Sequence, residues 1–185
     1  MKKTAVLLLA FLLVFSLFSC SKKDSDIPEG KEVAGYNGGN TAVDYSFFYP
    51  ERWELSENTG IISIRCDCNI SDQIASYATI SVMAFTLNEN EKNMGAKTYW
   101  ENYRKDVEST YKDFKMLDDK EVKLDNVDAY RVKYSASLTE NKYTFCQVIC
   151  VRYGTAYLIT LTAKENEFES VFADFESVCG DFKFK

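Results

Sequence analysis

The 185 residues are 46% hydrophobic and 15% aromatic, enough for one domain with a substantial core, which excludes disorder over most of the chain. There is no histidine, so Ser-His-Asp and Cys-His catalysis and histidine-rich metal sites are excluded. The formal charge is −6, with Lys and Arg scattered among more numerous acids, so nucleic acid is a poor partner.

Residues 1–20 read MKKTAVLLLAFLLVFSLFSC: two lysines, an apolar run from Ala5 to Phe18, a small residue and a cysteine. The run is short for a membrane span and is followed at once by the polar SKKDSD, which predicts a cleaved signal peptide over 1–19. Leu17-Phe18-Ser19-Cys20 resembles a bacterial lipobox, in which the cysteine thiol is alkylated with diacylglycerol and becomes the first mature residue. Phe18 departs from the smaller residue usual there. The alternatives are an uncleaved anchor or ordinary secretion with Cys20 lost in the leader. The expected location is a bacterial cell membrane or cell surface, lipid-anchored and extracytoplasmic. Losing Lys2 and Lys3 takes the mature chain to about −8. Residues 20–40 are polar, with Pro28 and no apolar period, and read as a tether, although GYNGGN reads equally as an ordered first loop. The domain is expected over 41–185.

Val43, Tyr45 and Phe47 fall on one parity before Pro50, which closes the strand, and Trp53 follows. Further strands are predicted at Gly60 to Asp67 and Ala78 to Leu87, the first half of an antiparallel meander. The period then changes. Ala96, Tyr99, Tyr103, Val107, Thr110, Tyr111 and Phe114 recur at three and four residues, predicting an amphipathic helix of about five turns with its Tyr stripe in the core. Trp100 lies at the edge of the stripe, either as a boundary residue or in an exposed patch. Strands resume at Lys115 to Leu124 and Val127 to Ser137 around Asp125-Asn126, a pairing typical of a type I′ turn.

Lys142 to Ala163, KYTFCQVICVRYGTAYLITLTA, is the strongest hairpin signal in the chain. With Gly154 and Thr155 at the centre of a type II′ turn, Val151 faces Leu158 and Ile149 faces Thr160 on one face. Val148, Ile159, Leu161 and two cysteines take the other. Both faces are largely apolar, so the hairpin requires packing layers on both sides. Phe168, Val171, Phe172, Phe175 and Val178 then predict a second helix, with Phe172 mid-stripe and Gly180 as its left-handed C′ residue. A short strand closes the chain.

Tyr49-Pro50-Glu51-Arg52-Trp53, Ala129-Tyr130-Arg131-Val132 after an Asp-Asn turn, Gly154-x-x-Tyr157, and Phe175-Glu176-Ser177-Val178 before Phe182-Lys183-Phe184 occur here in one order. In this order the chain, from about Asp44 to Lys185, resembles the PsbP-like domain of bacterial lipoproteins. That superfamily also holds the plant photosystem PsbP subunit and a Ran-binding nuclear import factor. The resemblance implies an α+β fold, an antiparallel β-sheet flanked by helices on both faces as an α/β/α sandwich. It also implies a binding or assembly role with no shared catalytic residue and no cofactor. The metal link of plant PsbP rests partly on histidine, which is absent here.

Cys66, Cys68, Cys146, Cys150 and Cys179 are the disulfide candidates of an exported chain. Cys146 and Cys150 stand about 13 Å apart on one strand face, and Cys66 and Cys68 about 6.6 Å, with parallel Cβ vectors. Neither local pair should bridge, so at most two long-range disulfides are expected, and no zinc, because turn-borne CxxC knuckles are missing. Asp118, Asp119, Asp125, Asn126 and Asp128 lack the pattern of a calcium loop and read as a solvated face. Three function classes follow: a non-catalytic binding or assembly module with a protein partner and the membrane, a surface enzyme using carboxylates or a thiol, and a small-ligand carrier.

Overall fold

The computed structural model describes residues 30–34, 43–58, 61–67 and 77–185. Among these, the strands in chain order are β1 (Lys31–Ala34), β2 (Tyr45–Tyr49), β3 (Trp53–Asn58), β4 (Ile61–Asp67) and β5 (Tyr77–Thr86). Helix α1 (Ala96–Thr110) precedes β6 (Lys112–Leu124), β7 (Val127–Leu138), β8 (Asn141–Arg152) and β9 (Thr155–Lys164). Helix α2 (Phe168–Asp181) and β10 (Lys183–Phe184) end the chain. A seven-stranded antiparallel sheet runs β3-β4-β5-β9-β8-β7-β6, and a three-stranded one β1-β2-β10.

The β8–β9 hairpin lies inside the large sheet, with a register that differs from the expected one. Its central turn residues are Tyr153 and Gly154, at φ 49° and 76°. Two positive φ values are the requirement of a type I′ turn. Val151 therefore faces Ala156, and Ile149 faces Leu158. The slip is two residues, so the parity of each face is kept. Phe145 and Ile149 share one buried cluster with Ala156, Leu158 and with Trp100 and Val107 of α1. Cys146, Val148 and Cys150 share the other with Ile159, Leu161 and with Phe168, Val171, Phe175 and Val178 of α2.

Several boundaries move. Lys31–Ala34, inside the expected tether, pairs with β2, since a four-residue edge strand is too short to show alternation. Trp53 opens a strand that the sequence reading did not assign. Helix α1 stops at Thr110, about one turn early, and Phe114 lies in β6. Trp100 is 2% exposed and stacks on Tyr134 at 5.9 Å, so it belongs to the core. Gly180 is not a left-handed cap: the helix runs through it to Asp181, and the extended Phe182 ends it.

The Tyr-Pro-x-x-Trp segment has a clear structural role. Trp53 N donates to Pro50 O at 2.9 Å, closing a turn that drives the indole into the core at 0% exposure. There Trp53 Nε1 donates to Asp174 Oδ2 of α2 at 2.5 Å. Arg52 Nε donates to the same oxygen at 2.7 Å and Arg52 Nη2 to Ser170 O at 3.1 Å. One carboxylate thus ties the start of β3 to α2.

Asp174→Ala leaves a buried indole N–H without its acceptor and should cost about 1–3 kcal/mol in urea denaturation, while Asp174→Asn, which keeps an acceptor, should cost less. Phe175 is 1% exposed, and Phe175→Ala should cost about 3–5 kcal/mol. Phe172, expected mid-stripe, is only half-buried beneath Arg131 and Lys133, at 5.6 and 5.4 Å from its ring. The same denaturation experiment should show a clearly smaller loss for Phe172→Ala than for Phe175→Ala.

Candidate functional site

Helix α1 packs on β6, β7 and β8. On the same face, β9 and β5 present half-buried Thr160, Thr162 and Ser81, and Met83 at 39% exposure. Gln147 of β8 is buried there: its Nε2 donates to Thr160 Oγ1 at 3.1 Å, and its amide lies against the Tyr103 hydroxyl. Its Oε1 has no hydrogen-bond partner among the described residues.

Beside α1, where β5 ends, a cleft of about 360 Å³ opens. Leu87, Asn88, Glu91 and Met94, from the segment between β5 and α1, line one side of it. Leu87 N donates to Gly154 O at 2.8 Å, fastening this segment to the β8–β9 turn. Asn88 Oδ1 accepts from Asn90 N at 3.0 Å, an Asx-type turn, and Asn88 Nδ2 donates to Glu91 Oε2 at 2.6 Å. The carboxylate of Glu91 is thereby set at the cleft. Tyr99 and Tyr103, one turn apart on α1, stack at 6.1 Å, and Phe85 of β5 meets Tyr99 at 6.3 Å and 49°. Asn102 and Asp106 complete that wall. Among the described residues no Lys, Arg or Cys lines the cleft. Burial, then the neighbouring Tyr103 and Glu91, push the Tyr99 phenol up to about 12. Tyr103 is also raised, chiefly by burial and by Tyr111.

Chemistry-bearing residues elsewhere have structural occupations. Cys20 and Cys68 lie outside the described residues. Cys66 is buried on β4, opposite Trp53 and Ala78. Cys146 and Cys150 are buried free thiols on one face of β8, and Cys179 is a half-buried free thiol on α2. Burial pushes Cys146 up to about 12 and Cys150 up to about 11; Cys179 is raised by burial and then by Cys146. Thiolates are the nucleophilic form, and all three sites disfavour them. Asp118 pairs with Arg131 at 3.3 Å, Asp128 with Lys123 at 2.7 Å, and Asp119 accepts from the Tyr130 hydroxyl. Asp125 accepts Phe184 N at 2.9 Å, and that N–H holds its carboxyl below the usual range. Among the described residues no three Cys, Asp or Glu side chains converge in a metal-binding group.

The sequence reading named Tyr99 and Tyr103 only as core and passed over Phe85, Glu91, Asn102 and Asp106. The available signal was Asn102 and Asp106, each three residues beyond a stripe tyrosine on α1. Tyr153, read as a strand residue, is 90% exposed at the hairpin tip.

The PsbP family model matches residues 36–184. The chain belongs to the PsbP family. Its fold is similar to the solution structure of the PsbP of Synechocystis sp. PCC 6803, CyanoP, with a TM-score of 0.59 at 14% identity over 86% of this chain and 94% of that one. LpqN of Mycobacterium tuberculosis, described as involved in cell envelope biogenesis, gives 0.61 at 10% identity over 84% and 91%. A Bacteroides thetaiotaomicron protein gives 0.54 at 16% identity over 84% of this chain but 48% of its own. These likenesses concern the fold. No curated protein matches this PsbP-family chain in sequence.

In the folded PsbP-family chain, Cys146 and Cys150 should resist iodoacetamide at pH 8 and react only on unfolding. Rapid native labelling of either would restore a thiol-based chemistry. These thiols rise from about 9, and Tyr99 and Tyr157 from 10 to about 12. Raised values favour the protonated, folded state. Their stabilisation is therefore full below about pH 9 and is lost as pH rises toward 11–12, which a series of alkaline melting curves will show.

Proposed function

We propose that this chain is a non-catalytic binding or assembly module, exported and held at the outer side of a bacterial membrane by a lipid on Cys20, with 1–19 removed as signal peptide. The domain is an α/β/α sandwich with one helix on each face of the large sheet. The observation that carries the non-catalytic reading is the occupation of its reactive groups. The described thiols are buried with raised pKa values or packed in the core, and the acidic cluster is spent on Arg131, Lys123, Tyr130 and Phe184. Membership in the PsbP family and likeness to an envelope protein, LpqN, support an extracytoplasmic place. Among the described residues no helix is long and apolar enough to cross a membrane. Tyr153 at the hairpin tip is the natural point of contact for a protein partner, as an exposed aromatic on a rigid turn. Nucleic acid is not a partner of so acidic a chain. The small-ligand carrier is the second reading, favoured by the cleft beside α1.

Cys20→Ala should abolish incorporation of labelled fatty acid and move the protein from the membrane to the soluble fraction, with an unchanged melting curve. Detergent partitioning equal to wild type would sink the anchor.

A further inference from the structure

We propose that the cleft beside α1 binds an alkylammonium cation, held against the rings of Tyr99, Tyr103 and Phe85 with Glu91 and Asp106 as its counter-charges. The inference stands on the cleft alone and survives whether or not Cys20 carries a lipid.

The cleft's size, about 360 Å³, suits a small organic ligand. Its charge is one-sided: among the described residues two carboxylates line it and no Lys or Arg does. Lys92 and Arg104, the basic residues next in sequence to lining residues Glu91 and Tyr103, are already paired. Lys92 Nζ sits 2.5 Å from Glu89 Oε2, and Arg104 Nε sits 2.6 Å from Glu108 Oε1. An anion would meet uncompensated repulsion there, and a purely apolar ligand would desolvate Glu91, Asn102 and Asp106 without pairing them. A cation with apolar substituents satisfies both halves of the lining. Aromatic faces attract an ammonium within about 6 Å of the ring centroid, and the attraction grows as water is displaced.

The arrangement is also set in advance. Asn88 holds Glu91 by a 2.6 Å hydrogen bond, and the Asn88 turn is fastened to the hairpin through Leu87 N and Gly154 O. Tyr103 is backed by Gln147, which is itself anchored to Thr160. The rings and one carboxylate thus lose little freedom when a ligand enters. A bare metal ion fits less well, since only two carboxylates line the cleft and no metal-binding group of three Cys, Asp or Glu converges among the described residues. The net charge of −6 adds a long-range attraction for cations.

The test is calorimetric titration of the purified full-length protein with choline and, in parallel, with 3,3-dimethyl-1-butanol, which has the same shape without the charge. Choline should bind saturably, one per chain, and the neutral alcohol at least about tenfold more weakly, as expected when both ring and carboxylate attraction are lost. Glu91→Gln and Tyr99→Leu should each weaken choline about 3- to 30-fold, the range of a single ring or charge contact. Glu91→Gln removes only a charge at the rim and keeps the proposal testable should Tyr99→Leu lower stability. Absence of saturable choline binding, equal affinity for the two probes, or choline affinity unchanged in Glu91→Gln would each overturn the proposal.

Discussion

Strand β8 is buried without a break from Thr144 to Cys150, so neither of its faces meets water. A strand in that position must have a sheet on both edges and a layer on both faces. The edges are met by β7 and β9. The faces are met by two separate clusters, one holding Trp100 and Val107 of α1 and the other holding the apolar stripe of α2. The two helices are therefore consequences of one strand's composition. Removing either exposes half of it.

The α2 side carries more of the structure. Aromatic residues of β2, Tyr45, Phe47 and Tyr49, join the α2 cluster, and Phe182 stacks on Tyr45 at 5.1 Å. Asp44, just before β2, and Phe184 of β10 are fixed there by directional bonds. Tyr157 donates to Asp44 Oδ2 at 2.5 Å, and Phe184 N donates to Asp125 Oδ2 at 2.9 Å. Asp125 sits in the β6–β7 turn, so the closing strand β10 is read by both a backbone ladder and a turn carboxylate. The Asp-Asn turn, the Tyr-Pro-x-x-Trp segment and the terminal Phe-Lys-Phe are thereby tied together in this chain. Each is one end of a long-range bond to this layer.

The α1 side is less complete, and the cleft follows from that. Helix α1 covers β6 to β8, whereas β9 and β5 offer hydroxyls and Met83 beside it. Polar half-burial suits a surface that exchanges water for a ligand better than one that must stay dry. The thiols, by contrast, are packed on or toward the α2 face, where burial raises the pKa values of Cys146, Cys150 and Cys179.

Local pattern was enough for β2, β4 to β9, both helices and the division of β8 into two apolar faces, because period, turn chemistry and side-chain parity act within a few residues of one another. The Asp125-Asn126 turn was legible for the same reason: both residues tolerate positive φ, and both take it, at 45° and 65°. The membership of Tyr99 and Tyr103 in one helix stripe was legible too. Their role as cleft walls was not, since Phe85 and Glu91 arrive from β5 and from the segment before α1. Trp100 became core only through Tyr134, more than thirty residues away. The hairpin register depended on which residue beside Gly154 accepts a positive φ. Gly154 suits either turn, and the strand pairing together with the Leu87 N–H on Gly154 O selects the one with Tyr153 at the tip. The pairing of Lys31–Ala34 and the separation of a second, small sheet were likewise decided by tertiary contacts. A strand that short has no pattern of its own, and its hydrogen bonds form only once β2 has been placed by the packing of its aromatic face.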